Sequence, residues 1–415
     1  MFISHSTSAD DEIARVREAL AKGLDDRNHK VLLDVRIQEP GRPWQLKLAR
    51  LLGECDAALV LVNESALASS WVRRETNILH WRKTLYPGMV LVTVLVGGVS
   101  AGQLRASELR YLADDDVERI RTWTDDEVDR LVRRFPQVRR VWDDTVSAWL
   151  DDIGNHLREI KDPSVFARIA RELEVPEEEL DELLPGLAPV LLASQMLDTH
   201  DVVKLGNAVL VARRSGLERD RVGQLATLIL PVWVDRDEAR RIVRETDGSV
   251  RRVVILTVDS PEIGRQYLDR AFCVDNRSYY VAMAAGRPPG DENPEDYLLE
   301  QCELAVKDRI GMDPYQELGR PKEPRDFGRL FLVLDVKRCD LAMVHRVIAR
   351  LHEKVPWVHV LVIPGRGVDV RGRWPGSPDE VLVLDPPFEA SHETLVEAVM
   401  RRVDECVQPS RRGAW

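Results

Sequence analysis

The sequence lacks any Cys-x-x-Cys pair. Its five cysteines, Cys55, Cys273, Cys302, Cys339 and Cys406, are widely scattered, which suggests neither a disulfide framework nor a zinc knuckle and leaves buried apolar thiols as the expectation for most of them. Long apolar runs are also missing. Met89 to Val96 is among the longest, under half the ~20 residues a membrane span needs. The first residues have no basic stretch followed by an apolar one, so the expected setting is cytoplasmic, with no membrane partner. Positive charge is not in excess either: 59 Lys and Arg against 70 Asp and Glu leave a net charge of −11, which disfavours a broad hold on a nucleic-acid backbone. No Gly-x-x-x-x-Gly-Lys-Ser/Thr motif exists, which excludes an intrinsic P-loop NTPase, and no repeat period is evident.

What is there is a soluble globular composition: 44% apolar and 31% charged residues over 415 positions, enough for two or three domains of ~100–200 residues each. The first hundred residues alternate short apolar runs with helical patterns, the signature of parallel βαβ units. Phe2-Ile3 predicts a short strand ending at Ser4-His5-Ser6. Ile13, Val16, Leu20 and Leu24 lie on one helical stripe and should pack on the sheet. Val31 to Leu33 reads as the second strand and Glu39 to Pro43 as a loop, because two prolines flanking a glycine propagate neither helix nor ladder. Ala57 to Val62 reads as a central strand buried on both faces. Asn63-Glu64-Ser65 ends it, a helix begins near Trp71, and Met89 to Val96 supplies another strong strand. From about Asp114 to Ile160 the pattern reads as helical, with Trp142, Val146, Trp149 and Ile153 at helical spacing.

Lys161 to Ser164 is a plausible boundary, giving segments 1–160, 164–245 and 246–415. The middle segment reads as all-helical, with Pro176 and Glu177 to Glu179 as a helix start. The last reads as α/β, with strands at Val253 to Val258, Leu330 to Val336, Val358 to Ile363 and Val381 to Leu384. Helices are expected from Leu341 to Glu353 and from Glu393 to Glu405, and breaker-rich loops at Gly286 to Asp296 and Gly319 to Gly328. The Gly-x-Gly turn Pro364 to Val370 follows a strand with no expected helix behind it, so it reads as a turn rather than a phosphate cradle. Arg366, Arg371, Arg373 and Trp374 could form an anion or nucleotide site, or simply a solvated loop.

Several N-terminal pieces, in order, carry a resemblance: Phe2-Ile3-Ser4-His5-Ser6, Leu33-Asp34, Pro40-Gly41-Arg42-Pro43-Trp44, Cys55-Asp56 leading into Ala57 to Val62, and Ser70-Trp71-Val72-Arg73-Arg74-Glu75. Together, over about 150 residues, they resemble a bacterial TIR (Toll/interleukin-1 receptor) domain, which implies a flavodoxin-like α/β fold with a parallel sheet. The C-terminal part resembles no family. In the family some members scaffold other TIR domains, while others cleave NAD at the nicotinamide N-glycosidic bond.

The resemblance implies Glu75 as the catalytic acid. The chemistry explains the need: nicotinamide leaves as a neutral base from an oxocarbenium-like ribose, and a carboxylate can orient the ribose hydroxyls and stabilise positive charge. Neither a metal nor a cofactor is implied, NAD being the substrate. The alternative for Glu75 is a solvated acid complementing its helix dipole.

Phe2, Ser4 and Asp34 lie at or near strand carboxyl ends, and by resemblance Trp71 lies near the pocket floor, so all four are candidates for substrate binding. Otherwise Phe2 and Trp71 are core, and Ser4 and Asp34 are turn or cap residues. His5 invites a reading as a general base, but turn hydrogen bonding is the expectation. By resemblance the loop Pro40, Gly41, Arg42, Pro43, Trp44 bridges neighbouring TIR domains and helps complete the site. That would make activity depend on an oligomer or filament, with the C-terminal part responding to a nucleotide or protein trigger in antiphage defence, and with ADP-ribose or a cyclised isomer as product. The alternative from a different class is a non-enzymatic adaptor that signals by TIR–TIR association.

Overall fold

The computed structural model describes residues 1–6, 11–27, 29–33, 52, 55–85, 89–114, 116–120, 124–135, 145–175, 188–246, 252–275, 278–285, 293–318, 328–337, 339–377 and 379–407. The chain divides into two compact units, Met1–Thr199 with Val211–Arg221, and His200–Leu210 with Val222–Trp415.

The first unit runs β1 (Phe2–Ser4), α1 (Asp11–Asp25), β2 (Ala57–Val62), α2 (Glu64–Ala68), α3 (Ser70–Leu85), β3 (Val90–Leu95), α4 (Ala101–Ala106), a 3-10 turn at Arg110–Asp114, β4 (Asp116–Arg119), α5 (Asp125–Val132), α6 (Thr145–Arg158), α7 (Ser164–Glu172) and α8 (Ala188–Asp198). The sheet order is β1-β2-β3-β4, all parallel. Ala57–Val62 is buried at all six positions, as a parallel strand covered on both faces requires. The stripe Ile13, Val16, Leu20 and Leu24 is buried in the same core as Leu59, Leu61, Val92 and Val94; each such side chain contributes ~1.5–3 kcal/mol by leaving water.

Segment 31–33 forms a bridge instead of the expected strand, pairing Phe2 with Leu32. Two backbone bonds hold it, Ile3 N–H to Leu32 O at 3.2 Å and Leu32 N–H to Met1 O at 2.8 Å. It lies on the far side of β1 from β2, so the spatial order becomes that of the flavodoxin-like doubly wound sheet. Asn63 does more than end β2: its side chain accepts from Ala66 N–H at 2.8 Å and caps the short helix α2. The expected helix from about 114 is interrupted by β4, where the polar Asp-Val-Glu-Arg segment pairs with β3, Val92 opposite Asp116. Its local composition conceals the strand, and pairing with a neighbour supplies what propensity does not.

The second unit holds α9 (Val202–Arg214) and α10 (Arg219–Ile229) in part, then a 3-10 turn at Leu230–Trp233, α11 (Arg236–Thr246), β5 (Val253–Leu256), α12 (Pro261–Ala271), β6 (Tyr279–Ala285), α13 (Pro294–Ile310), β7 (Arg329–Asp335), α14 (Leu341–Lys354), β8 (His359–Ile363), α15 (Val370–Arg373), β9 (Val381–Leu384) and α16 (Ala390–Val407). Its sheet is also fully parallel, in the order β6-β7-β8-β5-β9. Even-numbered residues of β7, Leu330, Leu332 and Leu334, pack with Leu298 and Cys302 of α13 and Val344 and Val347 of α14. Phe331 points to the other face, edge-on against Phe272.

Four expected strands are present, but β6 was not expected, and α13 begins at Pro294, inside the expected loop 286–296, where Asn293 accepts from Glu295 N–H at 3.1 Å. The loop expected at 319–328 lies almost wholly outside the described residues. Cys55, Cys273 and Cys302 are buried, Cys339 and Cys406 half-buried. Among the described residues, no helix is long and apolar enough to cross a membrane.

Candidate active site

A doubly wound sheet offers a ligand crevice beyond the carboxyl ends of its strands, at the point where successive connections leave in opposite directions. In the first unit that point is β1, flanked by segment 31–33 on one side and β2 on the other. Ser4 is the last residue of β1, and its hydroxyl donates to Glu75 Oε2 at 2.5 Å. Glu75 is the sixth residue of α3, whose side chains lean back toward the helix N-terminus and so toward this strand end.

Ser4 is 1% exposed and Glu75 3%. That burial overturns the alternative of Glu75 as a solvated acid complementing its helix dipole. A buried carboxylate is kept in place by donors, and the Ser4 hydroxyl is one.

Trp71 lies four residues before Glu75 on α3, hence on the same helix face one turn nearer the N-terminus, and is half-buried. Phe2 is wholly buried and opens β1 rather than ending it; with period-two alternation it shares Ser4's face. His5 is 4% exposed, and Arg17 Nη1 of α1 lies 2.9 Å from its Nε2. A guanidinium only donates, so Nε2 accepts and the ring proton sits on Nδ1. Its Nε2 partner is thus a helix side chain and not the local turn. Asp34 and the loop Pro40, Gly41, Arg42, Pro43, Trp44 lie outside the described residues. The structure therefore brings together Ser4 and Glu75, with Trp71 one turn away.

Sequence reasoning missed how α3 is held. Arg74, Glu75, Thr76, Asn77 and His80 are all buried, an unusual polar run for the interior. Thr76 Oγ1 donates back to Val72 O at 2.8 Å and lies 2.8 Å from Tyr111 Oη. Tyr111 Oη also lies within 3.1 Å of Arg73 O, and its ring is 5.2 Å from that of His80. Arg73 Nε pairs with Asp198 Oδ2 of α8 at 3.1 Å. Residues 189–197 of α8 are buried throughout, and the helix packs on α3 as well as on α6 and α7. Polar residues spaced through an apolar-flanked helix were the available signal, but nothing in the sequence names their partners.

Arg366 turns into the second unit instead of offering an anion site. Its guanidinium pairs with Glu393, donates from Nη1 to Phe388 O at 2.7 Å, and lies 4.7 Å over the Phe388 ring. Gly365 and Gly367 have φ of +93° and +70°, which shape that turn. The expected absence of a helix behind it is corrected by α15, where Arg371 and Arg373 are exposed, while Trp374 packs edge-on against His345 at 5.2 Å. Among the described residues, no cluster of three His, Cys, Asp or Glu is placed to hold a metal ion.

Residues 1–132 match the family model of the TIR domain, and no family model matches the C-terminal part. No curated protein matches the chain.

Proposed function

We propose that this chain, which carries a TIR domain at its N-terminus, cleaves NAD at the nicotinamide N-glycosidic bond with Glu75 as the catalytic carboxylate. The observation that supports this reading is the Ser4–Glu75 hydrogen bond at the strand ends where a doubly wound sheet takes its ligand. In the proposed step the C–N bond breaks and its electron pair leaves on nicotinamide, which departs neutral. Glu75 stabilises the cationic ribose and orients its hydroxyls, while the Ser4 hydroxyl fixes the rotamer of the carboxylate. Water captures the cation, releasing a proton and ADP-ribose; capture by an adenine or ribose group of the same molecule gives a cyclic isomer. Trp71, on the same helix face, would flank the substrate.

Activity is proposed to depend on association of TIR domains through the Pro40 to Trp44 loop, with the C-terminal α/β part as the element that answers a nucleotide or protein signal, in the setting of bacterial antiphage defence. The rival reading is a non-enzymatic adaptor. It draws support from the same burial, since a carboxylate 3% exposed is also a packing device.

The test is NAD consumption by the full chain, wild type and Glu75→Gln, across a concentration series that forces association. The full chain is required because α8, far beyond residue 160, packs on the helix that carries Glu75. Cleavage by wild type that the substitution lowers about a hundredfold or more supports the enzyme. Silence at every concentration moves the assignment to the adaptor or to an effector that awaits its trigger.

A further inference from the structure

Every open sheet has two edges, and a native chain blunts an edge with charge, proline or brevity, because its unpaired N–H and C=O groups template another strand. Two edges here follow that rule. β4 carries Asp116, Glu118 and Arg119, with Glu118 bound by Arg130 at 3.1 Å. β9 has only four residues, between Glu380 and Asp385. β6 does not follow it.

β6 is seven residues long, Tyr-Tyr-Val-Ala-Met-Ala-Ala, with neither charge nor proline. It pairs only with β7 among the described residues. The bond from Arg329 N–H to Ser278 O sets the phase of that ladder. One residue in two turns its backbone groups to the neighbour. Residues 278, 280, 282 and 284 therefore face β7, and Val281, Met283 and Ala285 present theirs outward. The side chains of the same three share the sheet face opposite α13, since Ala282 packs in the core with α13 residues. Met283 is 41% exposed, Ala285 exposed and Val281 half-buried.

We propose that β6 is a self-pairing interface at which a second copy of this chain adds its own β6 antiparallel, joining two five-stranded sheets about a twofold axis at Ala282. The occupant follows from the strand itself. An uncharged strand opposes no like charges when paired with its own copy, and a twofold arrangement closes at two subunits instead of propagating. Centring on Ala282 sets Val281 opposite Met283 of the second copy in a mutually hydrogen-bonded pair, which covers the exposed methionine. Ala282 then meets its equivalent at the non-hydrogen-bonded position, where Cα atoms approach to ~4.5 Å and a small side chain suits. The interface is independent of whether NAD is the substrate.

The test is the solution mass of the full chain by light scattering over a micromolar concentration series. Wild type is expected at twice the 47.2 kDa of one chain. Met283→Lys is expected at the single-chain mass with an unchanged circular-dichroism spectrum, since the site is solvent-facing, and with a melting temperature that no longer rises with protein concentration. In the double variant Val281→Cys with Met283→Cys, mild oxidation should yield a covalent dimer, because opposed residues in a hydrogen-bonded pair sit ~5.5 Å apart at Cα, within disulfide reach. Wild type oxidised in parallel controls for the native thiols. A wild-type chain that stays monomeric, a dimer that survives Met283→Lys, or a double variant that does not cross-link beyond the control would each overturn the proposal.

Discussion

Ser4 at the end of β1 and Glu75 on α3, 71 residues apart in the chain, are joined by a hydroxyl-to-carboxylate hydrogen bond of 2.5 Å. Ser4→Ala leaves the buried carboxylate short of a donor and is expected to destabilise the first unit by about 1–3 kcal/mol. Glu75→Gln keeps an acceptor oxygen for Ser4 and should retain the fold. Thermal melting of both variants checks the pair: a Glu75→Gln chain that melts well below Ser4→Ala would show the negative charge itself to be structural.

Arg73, two residues before Glu75, pairs with Asp198, and the chain passes into the second unit directly after Thr199. The two side chains are 22% and 15% exposed, so screening is incomplete and a double-mutant cycle with Arg73→Ala and Asp198→Ala should return about 1 kcal/mol of coupling. The same variants should speed amide exchange in α3. Strict additivity would mean that packing alone holds α8 to that helix.

His359 is buried against Phe331, ring centroids 4.9 Å apart, with Arg252 Nη1 at 3.2 Å from Nε2. Burial first, then the charges of Arg252 and Arg329, lower its pKa from 6.5 to about 3. The unfolded chain thus binds the proton that the fold refuses, and stability present above about pH 6.5 is lost as pH falls toward 3. From pH 6.5 to about 5 the loss is about 2 kcal/mol. His359→Gln should flatten this part of a stability-versus-pH curve from denaturant unfolding; an identical slope in the variant counts against the assignment.

Asp269 carries the opposite sign. Burial raises its pKa from 3.8 to about 6, although Tyr279 Oη donates to its Oδ1 and Arg265 lies 3.8 Å away. Holding it ionised above about pH 6 costs stability that is fully kept below 3.8. Asp269→Asn preserves the acceptor for Tyr279 and removes the charge. Its melting temperature should therefore exceed wild type near pH 8 and lose that advantage near pH 5; a deficit at both would mean that the Arg265 pairing outweighs desolvation.

Much of the fold was legible where burial follows a local period. Ala57–Val62 reads as a strand covered on both faces, the stripe Ile13, Val16, Leu20 and Leu24 as a packed helix face, and Leu341–Lys354 as an amphipathic helix, because each pattern is complete within its own segment. β4 and β6 were not legible. Asp116–Arg119 is too polar and Tyr279–Ala285 too rich in alanine to announce a strand, and both exist because an adjacent strand offers its backbone groups. Within the candidate site, Glu75, Ser4 and Trp71 could be named from order and resemblance, while the anchoring of α3 by Tyr111 and Asp198 could not.

The sequence by itself determined a parallel α/β sheet at the N-terminus, a helical stretch and a second α/β alternation after it, since apolar spacing decides which faces must leave water. Only the tertiary structure decided that Ser4 and Glu75 meet, that Arg73 is bound to a helix over a hundred residues later, and that β6, among the described residues, is paired on one side alone. Those outcomes depend on how strands are ordered and where helices dock. That is a property of long-range pairing, and no local window of residues contains it.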